Sequence, residues 1–574
     1  MKYIEIAKTY EVLEKTSSKI AKTDILTELF KKTPTEDIEK VVLLIQGIVF
    51  PKYSGLELGI AIQMMIKAIA RSTGFSVEKV EEMFKKTGDL GLVAENCIKE
   101  KKQASLLKKE LEVEDVFKNL QKLAYLTGEG SQDKKLNLIA ELLSFSKPQE
   151  AKYIVRTILG DLRVGVAEGI IRDAIAKSFL PEGKESLEIL DYALNIYPNF
   201  GEIAKISKEN GLKGLKQIKV KLGQPIQVML GEKAESIKEV IDEFGKVAAE
   251  YKYDGMRAQI HKDGEKIWIF TRRLENVTKQ FPDLVELCKK HIKAKKCIVE
   301  GEVVAIDEKS SPLPKSSPLP FQILSQRIQR KYDIEKMVKE IPIQINLFDI
   351  VFLDDEMLFD KKLKERREIL EKTVEQKQGK FMLAKQIITD NIKELEKFYK
   401  EALNAKQEGI FLKVLDSKYI FGRHVGGWYK IKPTMETLDL AIIGATWGTG
   451  KRAGWLGSFI LGCRDEKTGK FLECGMLGTG VKEKKTKETD ITFEELTKIL
   501  KPLIISEKGS NVRFKPKVVI SVDYQEIQVS PNYESGFALR FPRFVALRQD
   551  KGPEDVDTVE RIKYLYELQK KTKK

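Results

Sequence analysis

The periodicity of the apolar residues changes twice along this chain, and these changes limit the folds that it can adopt. Up to about residue 220, apolar residues recur three and four positions apart, which is typical of amphipathic helices. From 221 to 436, strand-like and helix-like segments alternate, and from 437 to 574, short apolar runs are separated by glycine-rich turns. We therefore predict a multidomain protein with an all-α domain over 1–220, an α+β domain over 221–436, and a small β-barrel with a carboxy-terminal helix over 437–574.

Two patterns place helix starts in the first domain. Thr33–Glu36 has the form of a capping box with proline at the first helical position. Ser54–Glu57 is predicted to cap the next helix, which would carry Leu58 and Ile62. The apolar stripes of these helices are predicted to be ordinary core.

Composition argues against several classes of protein. The chain has 101 Lys and Arg against 86 Asp and Glu, a net charge of +15, which fits a protein that binds a polyanion and equally one that is merely well solvated. Its five cysteines are scattered without a Cys-x-x-Cys pair, so we expect neither a disulfide framework nor a zinc cluster. The first residues lack the apolar core of a signal peptide and no uncharged run reaches membrane-spanning length, so we expect a cytoplasmic protein without a membrane contact.

The stretch Glu250–Arg257 carries the strongest chemical signal. Apolar residues before it and alternating residues after it predict a strand, a tight Asp-Gly turn and a second strand. A strand fixes the direction of a lysine, and shielding from water together with nearby cations lowers the pKa of its amine. Lys252 is therefore a candidate nucleophile, with an exposed hairpin lysine as the alternative.

Carboxylates follow on two apolar strands further along the chain. Glu300 and Glu302 lie in the buried-looking strand Cys297–Ala305, and Glu408 precedes the strand that ends at Lys413. Buried acids need a partner, and a metal ion or a ribose hydroxyl would supply one. Lys413 is predicted to face outward from its strand.

Cations cluster in the same part of the chain. Lys430 and Lys432 are two positions apart, so both point to one side of a strand, where they would repel each other unless an anion lies between them. A nucleotide phosphate would fill that position, and the pair would also lower the pKa of Lys252. Arg272 and Arg273 follow another strand, where they would grip a phosphate or form a solvated surface pair.

These elements, in this order, make the chain resemble the covalent nucleotidyltransferase superfamily of DNA ligases, RNA ligases and mRNA capping enzymes. The resemblance is closest to ATP-dependent DNA ligases of the archaeal and eukaryotic replicative type, and it covers nearly the whole chain. It implies that Lys252 takes AMP from ATP, that AMP passes to the 5′-phosphate of a DNA nick, and that the 3′-hydroxyl then expels AMP, in DNA replication, repair and recombination. It also implies an OB-fold for the third domain and a hinge near 433–439 that lets this domain close over ATP.

The resemblance further implies roles for particular residues. Lys252 would form the lysyl-AMP, Glu250 would recognise adenine, and Phe348 would lie against the face of the base. The other contacts with ribose, with phosphates or with the nick would come from Arg257, Arg272, Glu302, Arg423, Lys430, Lys432, Arg548 and Lys551.

A divalent metal ion is implied as well. Glu302 and Glu408 would serve magnesium, with manganese as the alternative. Glu300 stands where the family has aspartate, and its role is left open.

The resemblance also implies partners. The loops Gly128–Gln132 and Gly160–Gly169 resemble the family's phosphate-gripping loops for nicked double-stranded DNA, with plain helix-to-helix turns as the alternative. The segment with Gln103, Leu106 and Leu107 resembles the peptide by which archaeal ligases bind a sliding clamp. The alternative is that this segment is simply the start of an amphipathic helix. From the layout of the family we expect a monomer associated with the nucleoid.

Three other functions share parts of this pattern. A capping guanylyltransferase or RNA ligase would share the lysine stretch but would lack a large helical domain of this kind. A non-enzymatic nucleic-acid scaffold would leave Lys252 inert, and the order of the motifs argues against it. An NAD-dependent ligase would carry a cysteine cluster that this chain lacks.

Overall fold

The computed structural model of the 574-residue chain describes residues 1–100, 110–308, 317–330, 332–422, 427–433, 436–448, 452, 454–486 and 490–572. None of the helices in these ranges combines the length and the apolar character that a membrane span requires.

The amino-terminal part is helical, because its apolar residues recur with the spacing that places them on one face of each helix. Long aliphatic and aromatic side chains from these faces form one buried core. In the described ranges this helical domain contains α1 Tyr3–Lys15, α2 Lys19–Lys32, α3 Thr35–Ile45, α4 Ile62–Thr73, α5 Val77–Thr87, α6 Leu90–Lys99, α7 Val113–Tyr125, α8 Ser131–Phe145, α9 Pro148–Ile158, α10 Glu168–Phe179, α11 Lys184–Ile196 and α12 Phe200–Lys216.

The helix predicted to start at Ser54 starts later. Helix α4 begins at Ile62, and 56–61 has no regular structure. Gly55 and Gly59 both adopt left-handed backbone angles, with φ of +69° and +63°, and such residues interrupt a right-handed helix. The prediction from the capping pattern is therefore wrong at this position.

The central domain is built from two sheets with helices around them. Its helices are α13 Ile237–Phe244, α14 Pro282–His291, α15 Phe321–Ile328, α16 Ile334–Glu340, α17 Leu363–Thr373 and α18 Ile392–Asn404. Its strands are β1 Glu232–Lys233, β2 Val247–Lys252, β3 Met256–Asp263, β4 Lys266–Thr271, β5 Lys296–Asp307, β6 Ser317–Pro318, β7 Ile343–Leu353, β8 Glu356–Met357, β9 Phe381–Leu383, β10 Gln386–Thr389, β11 Gly409–Val414 and β12 Trp428–Ile431.

The strands on either side of the Asp-Gly turn belong to different sheets. One sheet has the order β1-β12-β11-β2-β10, and the other has the order β4-β3-β5-β7-β8, with β6 beside β5 and β9 beside β7. The chain therefore crosses from the first sheet to the second between Lys252 and Met256. A Cβ at Gly255 would lie 2.3 Å from the carbonyl oxygen of Val303 on β5, so the crossing requires glycine.

The carboxy-terminal domain is rich in short antiparallel strands. Its main sheet has the order β15-β14-β13-β17-β16, β18 pairs with both β13 and β21, and β19 and β20 form a separate hairpin. Its elements are β13 Leu438–Trp447, β14 Leu456–Arg464, β15 Phe471–Leu477, α19 Phe493–Leu500, β16 Ile504–Lys508, β17 Asn511–Phe514, β18 Val519–Asp523, β19 Glu526–Val529, β20 Phe537–Arg540, β21 Arg543–Leu547 and α20 Val559–Thr572. The predicted sequence of helical, α+β and β-rich domains is thus confirmed.

The helical and central domains share part of their apolar core. Ile226 and Met229, which follow α12, are buried together with Tyr419 and Trp428 of the central domain, and all four belong to the core cluster of the helices. We call residues 223–231 the strap, because this segment leads from the helical domain into the central one.

Candidate active site

Lys252 lies in a cleft of about 760 Å³ that opens between the two sheets of the central domain. This volume is within the usual range for small-molecule sites. Cationic side chains outnumber acidic ones along its walls, so the cleft favours an anionic ligand. The cations are Lys252, Arg257, Arg272, Arg273, Lys413, Lys430, Lys432 and Arg540, and the acids are Glu250, Glu275, Glu302 and Glu408.

Lys252 ends β2 and forms an ion pair with Glu408, whose Oε2 lies 2.5 Å from the lysine Nζ. The same oxygen also pairs with Lys432, so one carboxylate joins two cations. Burial acts to raise the pKa of Glu408, but the two cations outweigh it and lower this pKa to about 2. The backbone N–H of Glu408 donates to the Lys252 carbonyl at 2.9 Å, which fixes the two residues together.

Two more carboxyl groups lie beside this pair. Burial raises the pKa of Asp254, and neighbouring Glu408 raises it further. Burial also raises the pKa of Glu302 to about 7, against the opposing effects of Lys252 and Arg257. Sequence analysis treated Asp254 only as a turn residue, although an acid two positions after the candidate nucleophile was a usable signal.

The donor set fits a hard divalent cation. Magnesium prefers oxygen ligands, and Asp254, Glu302 and Glu408 supply carboxylate oxygens beside Lys252. Within the described ranges, however, no three acidic, histidine or cysteine side chains are arranged to enclose a metal ion by themselves. An ion here would complete its coordination with water and with oxygens of the substrate, as magnesium usually does.

A buried aromatic pocket lies along the cleft from Lys252. Glu250 Oε2 lies 2.5 Å from the Lys413 Nζ, and Gln386 Nε2 donates to Glu250 Oε1 at 2.8 Å. The Lys413 ammonium lies 4.0 Å from the ring centre of Trp428 and 4.6 Å from that of Phe348. The prediction that Lys413 faces outward is wrong, because a carboxylate and two aromatic faces compensate its buried charge.

Glu300 holds Arg257 in place. Arg257 Nη2 donates to Glu300 Oε2 at 2.7 Å, and Arg257 Nη1 donates to the Met229 carbonyl at 2.5 Å. The Tyr419 hydroxyl and Gln259 Nε2 also donate to the Glu300 carboxylate, at 2.9 and 3.2 Å. The role that the sequence left open for Glu300 is therefore, in the structure, that of a buried counter-ion for Arg257.

Other predicted residues also line the cleft. The rings of Phe348 and Trp428 meet edge to face at 5.9 Å, and Arg257 lies 5.3 Å from the Phe348 ring centre. Lys430 Nζ donates to the Gly231 carbonyl at 3.2 Å. Arg272 lies just after β4, on the wall of the cleft.

The structure places two predicted residues away from the cleft. Arg548 Nη1 and Lys551 Nζ each lie 2.7 Å from Asp439 Oδ2, at the start of the carboxy-terminal domain. Four further predicted residues lie outside the described part of the chain, namely Arg423, Gln103, Leu106 and Leu107.

The carboxy-terminal domain contributes other residues to the cleft. Gln525, Arg540 and Phe541 lie on its wall, and Arg540 Nη1 is 3.6 Å from Asp254 Oδ1. Phe541 is 69% exposed and has a φ of +50°. The sequence analysis did not assign them to the site, and the only signal available in the sequence was an aromatic residue next to an arginine.

The cleft thus offers both cationic side chains, which suit the phosphates of a nucleotide, and an aromatic pocket, which suits its base. Fold and site together define a nucleotide-binding enzyme whose cation-lined cleft suits a phosphate-bearing ligand. The chain belongs to the ATP-dependent DNA ligase family. Family models match it at residues 2–176 (DNA ligase N terminus), 228–432 (ATP dependent DNA ligase domain) and 452–551 (ATP dependent DNA ligase C terminal region).

Relatives match over the full length of the chain. A DNA ligase of Nanoarchaeum equitans is 48% identical over 99% of each chain, and a DNA ligase of Thermococcus onnurineus is 47% identical over 100% of this chain and 99% of its own. The solved structure Pmar-Lig_PreS3 covers 95% of this chain and 99% of its own, with a TM-score of 0.55 and 17% identity, and supports the fold. The chain is an ATP-dependent DNA ligase, and the prediction of ATP as its substrate is confirmed.

Proposed function

We propose that Lys252 is the nucleophile of this ligase and that the cleft around it carries out the first step of ligation. After the Lys252 ammonium has lost a proton to solvent, its neutral amine attacks the α-phosphorus of ATP. A bond forms between Nζ and phosphorus, the bond to the leaving pyrophosphate breaks, and a second proton leaves Nζ for solvent. The observation that carries the proposal is the position of Lys252 at the end of β2, beside Lys432 in a cation-lined cleft. Lys252 must leave Glu408 before it can attack, since the two are ion-paired.

The cations of the cleft bind the rest of the nucleotide in this proposal. Lys430 and Lys432 face the phosphates, and Arg257 holds the ribose. Two nitrogens of the Arg257 guanidinium bind Met229 and Glu300, while its buried Nε has no hydrogen-bond acceptor among the described residues. A hydroxyl of the ligand would supply that acceptor. Arg272 and Arg423 add contacts with phosphate or ribose.

The base binds in the aromatic pocket. Phe348 and Trp428 provide apolar faces for a flat ring, and Glu250 provides carboxylate oxygens for the exocyclic amine of adenine. Lys413 and Gln386 hold Glu250 in position. The pocket thereby orients the α-phosphate toward Lys252.

Magnesium, or manganese in its place, is the proposed metal. Glu302 and Glu408 would hold it, with Asp254 as a third carboxylate that the sequence analysis did not include. When bound, such an ion offsets negative charge on the phosphates. Glu408 can serve it only after releasing Lys252 and Lys432, so we expect metal and nucleotide to enter together.

The later steps need DNA and a moving carboxy-terminal domain. The AMP passes from Lys252 to the 5′-phosphate of a nick, and the 3′-hydroxyl then displaces AMP. We propose that Arg548 and Lys551 leave Asp439 and reach ATP during the first step, by rotation near 433–439. In the structure Arg540 and Phe541 face the cleft instead, which fits a position used with DNA.

The partner is nicked double-stranded DNA, bound partly through the loops 128–132 and 160–169 of the helical domain. We propose the domain boundaries 1–220, 221–436 and 437–574, a monomeric enzyme, and a role in replication, repair and recombination. Contact with a sliding clamp through Gln103, Leu106 and Leu107 belongs to the same proposal.

The test is the mass of the intact protein after incubation with ATP, GTP or NAD and magnesium. The protein is first freed of bound AMP with pyrophosphate. We expect a gain of one AMP with ATP for the wild type and for Lys246→Ala, an exposed lysine just before β2, and no gain for Lys252→Ala. Labelling of Lys252→Ala at the normal rate, or a gain of GMP with GTP, would overturn the assignment.

A further inference from the structure

The strap is fixed by side chains of the central domain, and one of these, Arg257, also lines the cleft. Its first contact is at Gly223, whose N–H donates to His261 Nδ1 at 3.3 Å. Burial lowers the pKa of His261 to about 3, so the ring is neutral at working pH. Since Nδ1 accepts, the proton is on Nε2, which donates to Gln259 Oε1 at 3.0 Å.

Gln259 binds the strap further along, at Ile226. Its Oε1 accepts from the Ile226 N–H at 2.8 Å, and its Nε2 donates to the Ile226 carbonyl at 3.2 Å. The same Nε2 donates to Glu300 Oε1. This part of the strap is thereby joined to the buried carboxylate that holds Arg257.

The contacts at Met229 form a closed ring of hydrogen bonds. The Met229 N–H donates to the Tyr419 hydroxyl at 3.0 Å, and that hydroxyl donates to Glu300 Oε2 at 2.9 Å. Arg257 Nη2 donates to the same oxygen at 2.7 Å, and Arg257 Nη1 returns to the Met229 carbonyl at 2.5 Å. Met229 and Glu300 are completely buried and Tyr419 is 3% exposed.

The hydroxyl of Tyr419 is the only group of this ring that both accepts from the strap and donates to Glu300. Burial, with Glu300 nearby, raises the pKa of Tyr419 well above its usual value, so the hydroxyl keeps its proton. A phenylalanine here would leave the buried Met229 N–H without an acceptor and would remove one donor from Glu300. Arg257 is held by Met229 and Glu300, and both of these residues would then be less firmly fixed.

We propose that Tyr419 is a positioning residue for the nucleotide, because its hydroxyl closes the ring that fixes Arg257 against the strap. The proposal rests on the proposed contact of Arg257 with ATP. It adds that the segment leading from the helical domain is part of the nucleotide site, through a residue that does not line the cleft itself.

The experiment measures self-adenylylation by the full-length enzyme against ATP concentration. In Tyr419→Phe we expect the KM for ATP to rise about three- to tenfold, the range that one net hydrogen bond provides. We expect the rate at saturating ATP to stay within a factor of about two, because Lys252 is not part of the ring. The matched control is Tyr10→Phe, which removes a buried hydroxyl that donates to the Leu44 carbonyl in the helical domain.

A double-mutant cycle with Arg257→Lys separates positioning from general destabilisation. Lysine lacks the forked guanidinium that joins Met229 to Glu300. If Tyr419 acts through Arg257, Tyr419→Phe should change the KM of Arg257→Lys by less than about twofold. Additive effects, or equal changes of KM in Tyr419→Phe and Tyr10→Phe, would overturn the proposal.

The outcomes also distinguish this proposal from the one it rests on. An unchanged KM in Arg257→Lys would refute the contact of Arg257 with ATP. A raised KM in Arg257→Lys with a normal KM in Tyr419→Phe would refute the positioning role alone. If Tyr419→Phe does not fold, Tyr419→Met, which also removes the hydroxyl, takes its place in the cycle. The same rise and the same lack of additivity are expected, and additive effects there would overturn the proposal.

Discussion

Lys252 and Lys413 are both lysines on strands of the central domain, and only their surroundings distinguish them. Lys252 was identified from the sequence because Asp254 and Gly255 follow it directly and cations follow further on. Lys413 was not, because its counter-charge, Glu250, comes from a distant part of the chain and becomes a neighbour only when β11 pairs with β2. The sequence shows which residues are neighbours along the chain, but it does not show which strands pair in a sheet.

For the carboxylates of the site, too, one property could be predicted from the sequence and another could not. Glu302 and Glu408 were predicted to serve a metal ion, and in the structure both line the cleft together with Lys252. Their pKa values, however, are shifted in opposite directions. The direction of each shift depends on whether burial or the neighbouring cations have the larger effect on that carboxylate. The sequence does not show how deeply each carboxylate is buried or which cations lie next to it.

Glu302 should make the metal-free enzyme less stable as the pH rises. Its folded pKa of about 7 lies above its ordinary value of 4.5, so the folded state binds the proton more tightly than the unfolded state. Stability therefore falls between about pH 4.5 and 7, by up to about 3 kcal/mol. Glu302→Gln should remove this decline, measured as the urea midpoint at several pH values in EDTA.

Glu408 does not obscure that measurement. Its pKa is lowered, so its contribution is complete above about pH 4.5 and is lost only as the pH falls toward 2. Glu265→Gln, a change at an exposed position after β3, serves as the control and should leave the decline intact. A decline of the same size in Glu302→Gln would contradict the prediction.

At the level of elements, alternation predicted the strands on both sides of the Asp-Gly turn. It did not reveal that β2 and β3 lie in different sheets, because a sequence pattern records which face is apolar and not which strand is the neighbour. The close approach of Gly255 to β5 is the physical reason why this crossing needs glycine. The helix that was predicted to start at Ser54 is a case in which a local pattern misled. The left-handed glycines Gly55 and Gly59 interrupt the helix that the capping pattern predicted.

Gly255→Ala should impair the active site by displacing the strand β5, which carries Glu302. The new Cβ would lie 2.3 Å from the Val303 carbonyl oxygen and 3.0 Å from Glu302 Cγ, so β5 would have to move. We expect a loss of about 1–3 kcal/mol in stability and self-adenylylation at least about tenfold slower, because 1 Å of misplacement is costly at a reacting centre.

Labelling rate and thermal midpoint provide the measurement for Gly255→Ala. Gly478→Ala is the control, because the nearest atom to its added Cβ would be 3.7 Å away. A normal labelling rate in Gly255→Ala would show that the crossing tolerates a side chain.

At the level of the whole molecule, the order of domains was predictable and their orientation was not. The sequence analysis assigned Arg548 and Lys551 to the nucleotide, whereas in the structure Gln525, Arg540 and Phe541 of that domain face the cleft. Short patterns identify which residues are chemically suited to a site. They do not specify which face of a domain is turned toward it.

Asp439 should slow the first step by retaining Arg548 and Lys551. Both cations pair with one oxygen of Asp439 and are partly exposed, so solvent weakens the pairing. If these residues must move to ATP, Asp439→Asn should speed self-adenylylation about two- to fivefold. Single-turnover labelling would measure this.

A matched change tests the specificity of that effect. Asp523→Asn alters an exposed acid at the end of β18 in the same domain and should leave the labelling rate unchanged. A slower rate in Asp439→Asn would indicate that the pairing supports the first step.

The apolar core that the helical and central domains share has a consequence for protein engineering. A fragment beginning near residue 221 would keep the strap but would lose the helical residues that contact it and Phe421, such as Asn195 and Tyr192, and exposed apolar patches promote aggregation. The two domains are therefore best exchanged between homologous enzymes as a single unit. A graft that replaces only the carboxy-terminal domain would leave this interface intact.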